Sequence, residues 1–103
     1  MKVVAFVPDL MDRSRFPRKV ADVTFVRSTD EIAQVAGGAD LVIVDLNRAG
    51  ALEAIETLTD VRRVGFTNHD NRELMQRANT AGVEAMARSR FFSHIALILT
   101  GEE

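Results

Sequence analysis

Asp40-Leu41-Val42-Ile43-Val44-Asp45-Leu46-Asn47 constrains the fold more than any other stretch of this chain. A run apolar at every position, and not at every second one, matches a strand buried on both faces of a parallel sheet. The run ends on the carboxylate of Asp45 and is followed by Arg48-Ala49-Gly50. Open α/β sheets place their ligands beyond the C-terminal ends of the strands, so Asp45 falls where chemistry is expected.

Four further strands fit around this one. Val3-Val4-Ala5-Phe6-Val7 is also continuously apolar and is stopped by Pro8, which lacks an amide donor and suits a strand end. Val23-Thr24-Phe25-Val26, Arg63-Val64-Gly65-Phe66 and Val83 to Ala87 supply the others. Helices fill the gaps. Asp9 is a good N-cap for a short helix from Leu10 to Phe16, with Asp12 at its positive end and Pro17 limiting its length. Ser28 and Glu31 have capping-box spacing ahead of Ile32, Val35 and Ala36, and Gly37-Gly38 closes that helix. Ala51 to Leu58 follows, then a helix opened by Asp70 and Glu73 and closed at Gly82. Phe91, Phe92, Ile95, Ile98 and Leu99 give one amphipathic final helix.

Strands alternating with helices across short loops predict an α/β fold: a three-layer α/β/α sandwich on a five-stranded parallel sheet. Right-handed crossovers favour the order 2-1-3-4-5, with the switch point between the first and third strands. With 103 residues the chain suits a single domain, 1–103. That arrangement sets Asp9 and Asp45 on neighbouring loops, with Thr67, His69, Arg88 and Ser89 approaching from the two strands beyond.

The chain resembles the receiver domain of bacterial two-component response regulators. Under that resemblance, Asp45 stands where receivers carry the phosphoacceptor aspartate and Thr67 where they carry the switch Ser/Thr. Arg88 stands where a lysine closes the fifth strand, and Ser89 where a proline usually follows. The resemblance implies the flavodoxin-like, receiver-like fold, a bacterial signal-transduction role and, in a working receiver, Mg²⁺ as cofactor. Receivers hold that ion with an acidic pair after the first strand, where this chain has Val7-Pro8-Asp9. Asp9 and Asp45 together make a thin ligand set for an ion that prefers several oxygens. The chain therefore reads as a degenerate, or pseudo-, receiver with no cofactor.

Each site residue also has a plain structural reading. Asp45 can pair with Arg88 or cap the next helix, and Asp9 can simply cap. His69 is either a contact beside Thr67 or a polar loop residue, and His94 is expected to face solvent. Arg13, Arg15, Arg18 and Lys19 cluster after the first strand; with Arg48, Arg88 and Arg90 they could draw an anion to that edge, or form a solvated face. The net charge of −2 and the lack of tyrosine and tryptophan argue against nucleic acid. No apolar run approaches the length that crosses a bilayer, so a cytoplasmic protein without a membrane role is expected.

There is no cysteine, no G-x-G-x-x-G, no G-x-x-x-x-G-K-[ST] and no G-x-S-x-G. The leading expectation is thus a non-enzymatic regulatory module acting by protein–protein contact or by binding a small anion. The alternatives are a phosphoacceptor receiver using Asp45, Thr67 and Arg88, and a small enzyme using Asp9, Asp45 and His69 on an anionic substrate. Phe91, Phe92, Ile95, Ile98 and Leu99 either cover the sheet or form a dimer face. Receivers commonly dimerise through their fourth and fifth helices, so the resemblance implies a homodimer.

Overall fold

In the computed structural model, which describes residues 1–68 and 70–103, five parallel strands form one sheet in the order β2-β1-β3-β4-β5. They are β1 (Lys2–Phe6), β2 (Asp22–Phe25), β3 (Leu41–Asp45), β4 (Arg62–Thr67) and β5 (Glu84–Ala87). The helices are α1 (Leu10–Ser14), α2 (Thr29–Val35), α3 (Ala51–Ile55), α4 (Arg72–Thr80), α5 (Arg88–Ser93) and α6 (Ile95–Thr100). This is the flavodoxin-like three-layer sandwich that the strand runs imply.

Every residue of β3 is buried, because β1 and β4 flank it and helices cover both its faces. Alternate residues feed two cores. Val3, Ala5, Leu41, Ile43, Val64 and Phe66 pack on one side with Phe16 and the residues of α5 and α6. Val4, Val42 and Val44 pack on the other with Ile32 of α2, Leu52 and Ile55 of α3, and Ala78 of α4. Each of the valine, leucine, isoleucine and phenylalanine side chains among them contributes about 1.5–3 kcal/mol on full burial.

The expected dimer face is corrected here. Phe91, Phe92, Ile95, Ile98 and Leu99 are all buried within the chain, none more than 7% exposed. α1 stops after five residues and cannot cover this side of the sheet, so the C-terminal segment must.

Other expectations shift in detail. The final helix is two, broken at His94, whose backbone leaves the helical region at φ −113° and ψ 10°. Ser93 Oγ bonds the Ser89 carbonyl at 2.5 Å, and His94 Nδ1 lies 3.0 Å from the Arg90 carbonyl. Side chains that bond carbonyls one turn back bend helices. α4 is capped by Asn71, whose Oδ1 accepts the Leu74 amide at 3.2 Å, and not by Asp70. Ser28 precedes α2 without capping it; its hydroxyl reaches Glu31 Oε1 at 3.5 Å instead.

Arg63, read only as part of a strand, is buried among the helices on the α3 side. Its Nη1 donates to the carbonyls of Ile55 at 3.0 Å and Glu56 at 3.3 Å, so a buried cation closes the C-terminal end of α3. Its Nε has no partner among the described residues.

Gly65 is fixed by contact. A Cβ there would lie 2.6 Å from Leu46 Cδ1 and 2.7 Å from its Cγ. Leu46 is itself buried, so it has little room to yield. Gly65→Ala is expected to destabilise the fold by about 1–3 kcal/mol through overpacking. Urea denaturation should show Gly65→Ala and Leu46→Ala combining to less than the sum of the separate losses.

Candidate functional site

The strand register decides which residues can meet at the C-terminal edge. Phe6 lies beside Val44, Asp45 beside Phe66, and Thr67 beside Ala87. Asp45, Thr67 and Arg88 therefore emerge from β3, β4 and β5 on one rim, next to the Val7–Asp9 turn after β1.

Asp45 is buried, at 4% exposure, and both its oxygens are engaged. Oδ1 accepts the backbone amide of Asn47 and its side-chain Nδ2, each at 3.0 Å. Oδ2 receives the more distant Nε of Arg48, at 3.4 Å. Asn47 is the link that the sequence reading missed. Its Oδ1 accepts the hydroxyl of Thr67 at 2.8 Å and the amide of Asn68 at 3.3 Å. Asp45, Asn47 and Thr67 thus form one chain of hydrogen bonds from β3 to β4. The available signal was an amide two residues after a strand-end aspartate, which is Asx-turn spacing.

Arg88 does not pair with Asp45. Its guanidinium grips Asp12, with Nη1 donating to Oδ2 at 2.5 Å and Nη2 to Oδ1. Asp12, read from sequence as a helix-end charge, is buried; its partner is half-exposed and lies over the rings of Phe66 and Phe92. Two parallel charge-assisted bonds fix the geometry as well as the charge. The Arg88 pKa is raised above its ordinary value, first by the hydrogen bonds to Asp12; burial opposes this, and the fields of Asp12, Asp45 and Asp9 add to it.

The remaining candidates scatter. Asp9 caps α1, its Oδ1 accepting the amides of Met11 at 2.8 Å and Asp12 at 3.1 Å. Arg13 Nε donates to the Val7 carbonyl at 2.6 Å, and its guanidinium lies over the ring of Phe25 at the end of β2. Ser89 is exposed on the first turn of α5. Arg90 pairs with Glu103 at 2.9 Å. His94 is partly buried, its Nε2 4.0 Å from Glu103. His69 lies outside the described residues.

The acids that the receiver resemblance would assign to Mg²⁺ are engaged within the chain. Asp9 spends an oxygen on two amides, Asp12 is closed by Arg88, and Asp45 is closed by Asn47 and Arg48. Among the described residues no three histidine, cysteine or carboxylate side chains come together to hold a metal ion. The same residues show no helix long and apolar enough to cross a membrane.

Among solved structures, the chain is similar to the phosphorylated cyanobacterial phytochrome response regulator RcpA. The two share 18% identity with a TM-score of 0.72 over 97% of this chain and 89% of that one. The likeness establishes the receiver fold from end to end. No protein-family model and no curated protein matches the chain.

The Arg88–Asp12 pair gives a direct stability test. Arg88→Ala strands a buried carboxylate and should cost about 1–3 kcal/mol. Asp12→Ala in that background should restore part of the loss. A double-mutant cycle on urea midpoints would reveal the coupling, and strict additivity would contradict it.

Proposed function

We propose that this receiver-fold chain is a regulatory module that acts by protein contact, with Asp45 serving as a structural pin and not as a phosphoryl acceptor. The observation that carries the reading is the closed state of Asp45. An acceptor carboxylate must offer an oxygen to phosphorus while a cation neutralises the incoming charge. Here one oxygen holds the Asn47 turn, the other faces Arg48, and Arg88 is committed to a different acid. The same commitments weigh against a small anion as the ligand of this rim, because Arg48 and Arg88 both face carboxylates.

A second reading has one specific observation in its favour. Asp45 and Thr67 end neighbouring strands, and Arg88 directly follows the next one, in a fold shared with a response regulator whose structure is of its phosphorylated form. In that reading Asp45 accepts the phosphoryl group, Thr67 responds to it and Arg88 leaves Asp12 to contact it.

Intact-mass spectrometry after incubation with Mg²⁺ and acetyl phosphate decides between them, with Asp45→Asn run in parallel. The expected result is an unmodified mass for both proteins. One added phosphoryl group that vanishes in Asp45→Asn would sink the structural-pin reading and establish the acceptor.

A further inference from the structure

The early end of α1 leaves the β2 edge of one sheet face only partly covered, with Val23 and Phe25 half-buried. α1 covers about 7.5 Å of helix axis, because Pro17 has no amide to continue it and its ring crowds the preceding turn. Beyond that point the chain passes through a loop into β2, the outermost strand on that side of the sheet. A groove of about 470 Å³ lies between α1, the loop that follows it and β2, lined by Leu10, Phe16, Pro17, Val23 and Phe25 among others. Leu10 and Met11, at the start of α1, are each 75% exposed. They are the most exposed large apolar side chains among the described residues.

The segment that forms most of this groove is strongly one-sided in charge. Residues 13–27 carry Arg13, Arg15, Arg18, Lys19 and Arg27 against the single acid Asp22, in a chain whose net charge is −2. None of the five cations has an acid within salt-bridge distance among the described residues, whereas Arg48, Arg62, Arg77, Arg88 and Arg90 all do. Arg13 and Arg18 line the groove itself. Arg15 lies over the Phe92 ring at 4.1 Å, at the inner end of the same aromatic layer.

We infer that this groove docks an acidic amphipathic helix of a protein partner. Its apolar face would settle on exposed Leu10 and half-buried Val23 and Phe25, beside the layer that α1 leaves short. Its carboxylates would meet the cations of this segment, which have no acid partner among the described residues. Helix-in-groove recognition uses this division of labour, with apolar anchors for affinity and charge for orientation and on-rate. The inference rests on the protein-contact reading above and assigns it a surface separate from the Asp45 rim.

The test uses the full chain, isotope-labelled, and a synthetic helical peptide with leucine on one face and glutamate on the other. Amide shifts are expected at residues 10–27, weakening as salt is raised. A matched lysine-for-glutamate peptide should leave those amides unmoved. Arg18→Glu/Lys19→Glu should weaken the acidic peptide at least about tenfold. Leu10→Asn should weaken it too, which charge attraction alone would not produce; all three positions are exposed, so the fold is kept.

Shifts confined to α4, β5 and α5 would overturn the groove while leaving protein contact intact. So would the absence of shifts at millimolar peptide. Concentration-dependent shifts at residues 10–27 without peptide would make the occupant a second copy of this chain. Displacement of the peptide by phosphatidylglycerol vesicles would make it an anionic surface. Either result overturns the inference, and neither bears on phosphorylation of Asp45, which the mass measurement reads separately.

Discussion

A strand buried on both faces can present polar groups only at its ends, and β3 puts the whole molecule under that constraint. Its interior positions are closed to anything but apolar side chains, since an unpaired polar group there would cost several kcal/mol. Polar function is thereby pushed to the C-terminal rim, where the loops begin. Asp45 sits at that boundary, buried enough to need full hydrogen bonding and near enough to the loop to obtain it from Asn47. Thr67, also buried, meets the same need through the same side chain. The rim is therefore ordered by the obligation of buried polar atoms to find partners.

Arg88 and Asp12 solve the equivalent problem between β5 and α1. A lone carboxylate as buried as that of Asp12 would be costly, and the bidentate guanidinium supplies both charge and geometry. The pair also ties the short helix of the first crossover to the end of the last strand. The cost of this closure is chemical availability: a cation clamped onto one acid is not free for another anion. Arg63 shows the same logic at the opposite end of β4, where a buried cation answers helix carbonyls instead of a carboxylate.

Strand identity and order were legible because they follow from local rules. Continuous apolar runs, a proline at one strand end and glycines at helix ends are read residue by residue. The shortness of α1 was equally plain in Pro17. Pairings between distant side chains were not legible. Asp12 and Arg88 are 76 positions apart, and nothing in either neighbourhood says which of several acids Arg88 will choose. Asp45 was the closer guess, and the geometry of α1 decided otherwise. The final helix was misread as continuous because its apolar spacing persists through His94, while the break comes from side chains bonding carbonyls one turn back. The exposed or buried fate of Phe91 and Phe92 hung on how much sheet α1 could cover, which spacing does not reveal.

The rings beneath that C-terminal segment form one connected layer. Phe25 meets Phe16 at 5.1 Å between centroids, Phe16 meets Phe91 and Phe92 at 6.0 and 6.3 Å, and both meet Phe66 at 4.8 and 5.3 Å. Edge-to-face and offset contacts of this kind depend on the orientation of every member. No ring can change size without turning its neighbours, so this layer resists piecemeal drift. Divergent descendants of such a chain should keep the rings or exchange several at once.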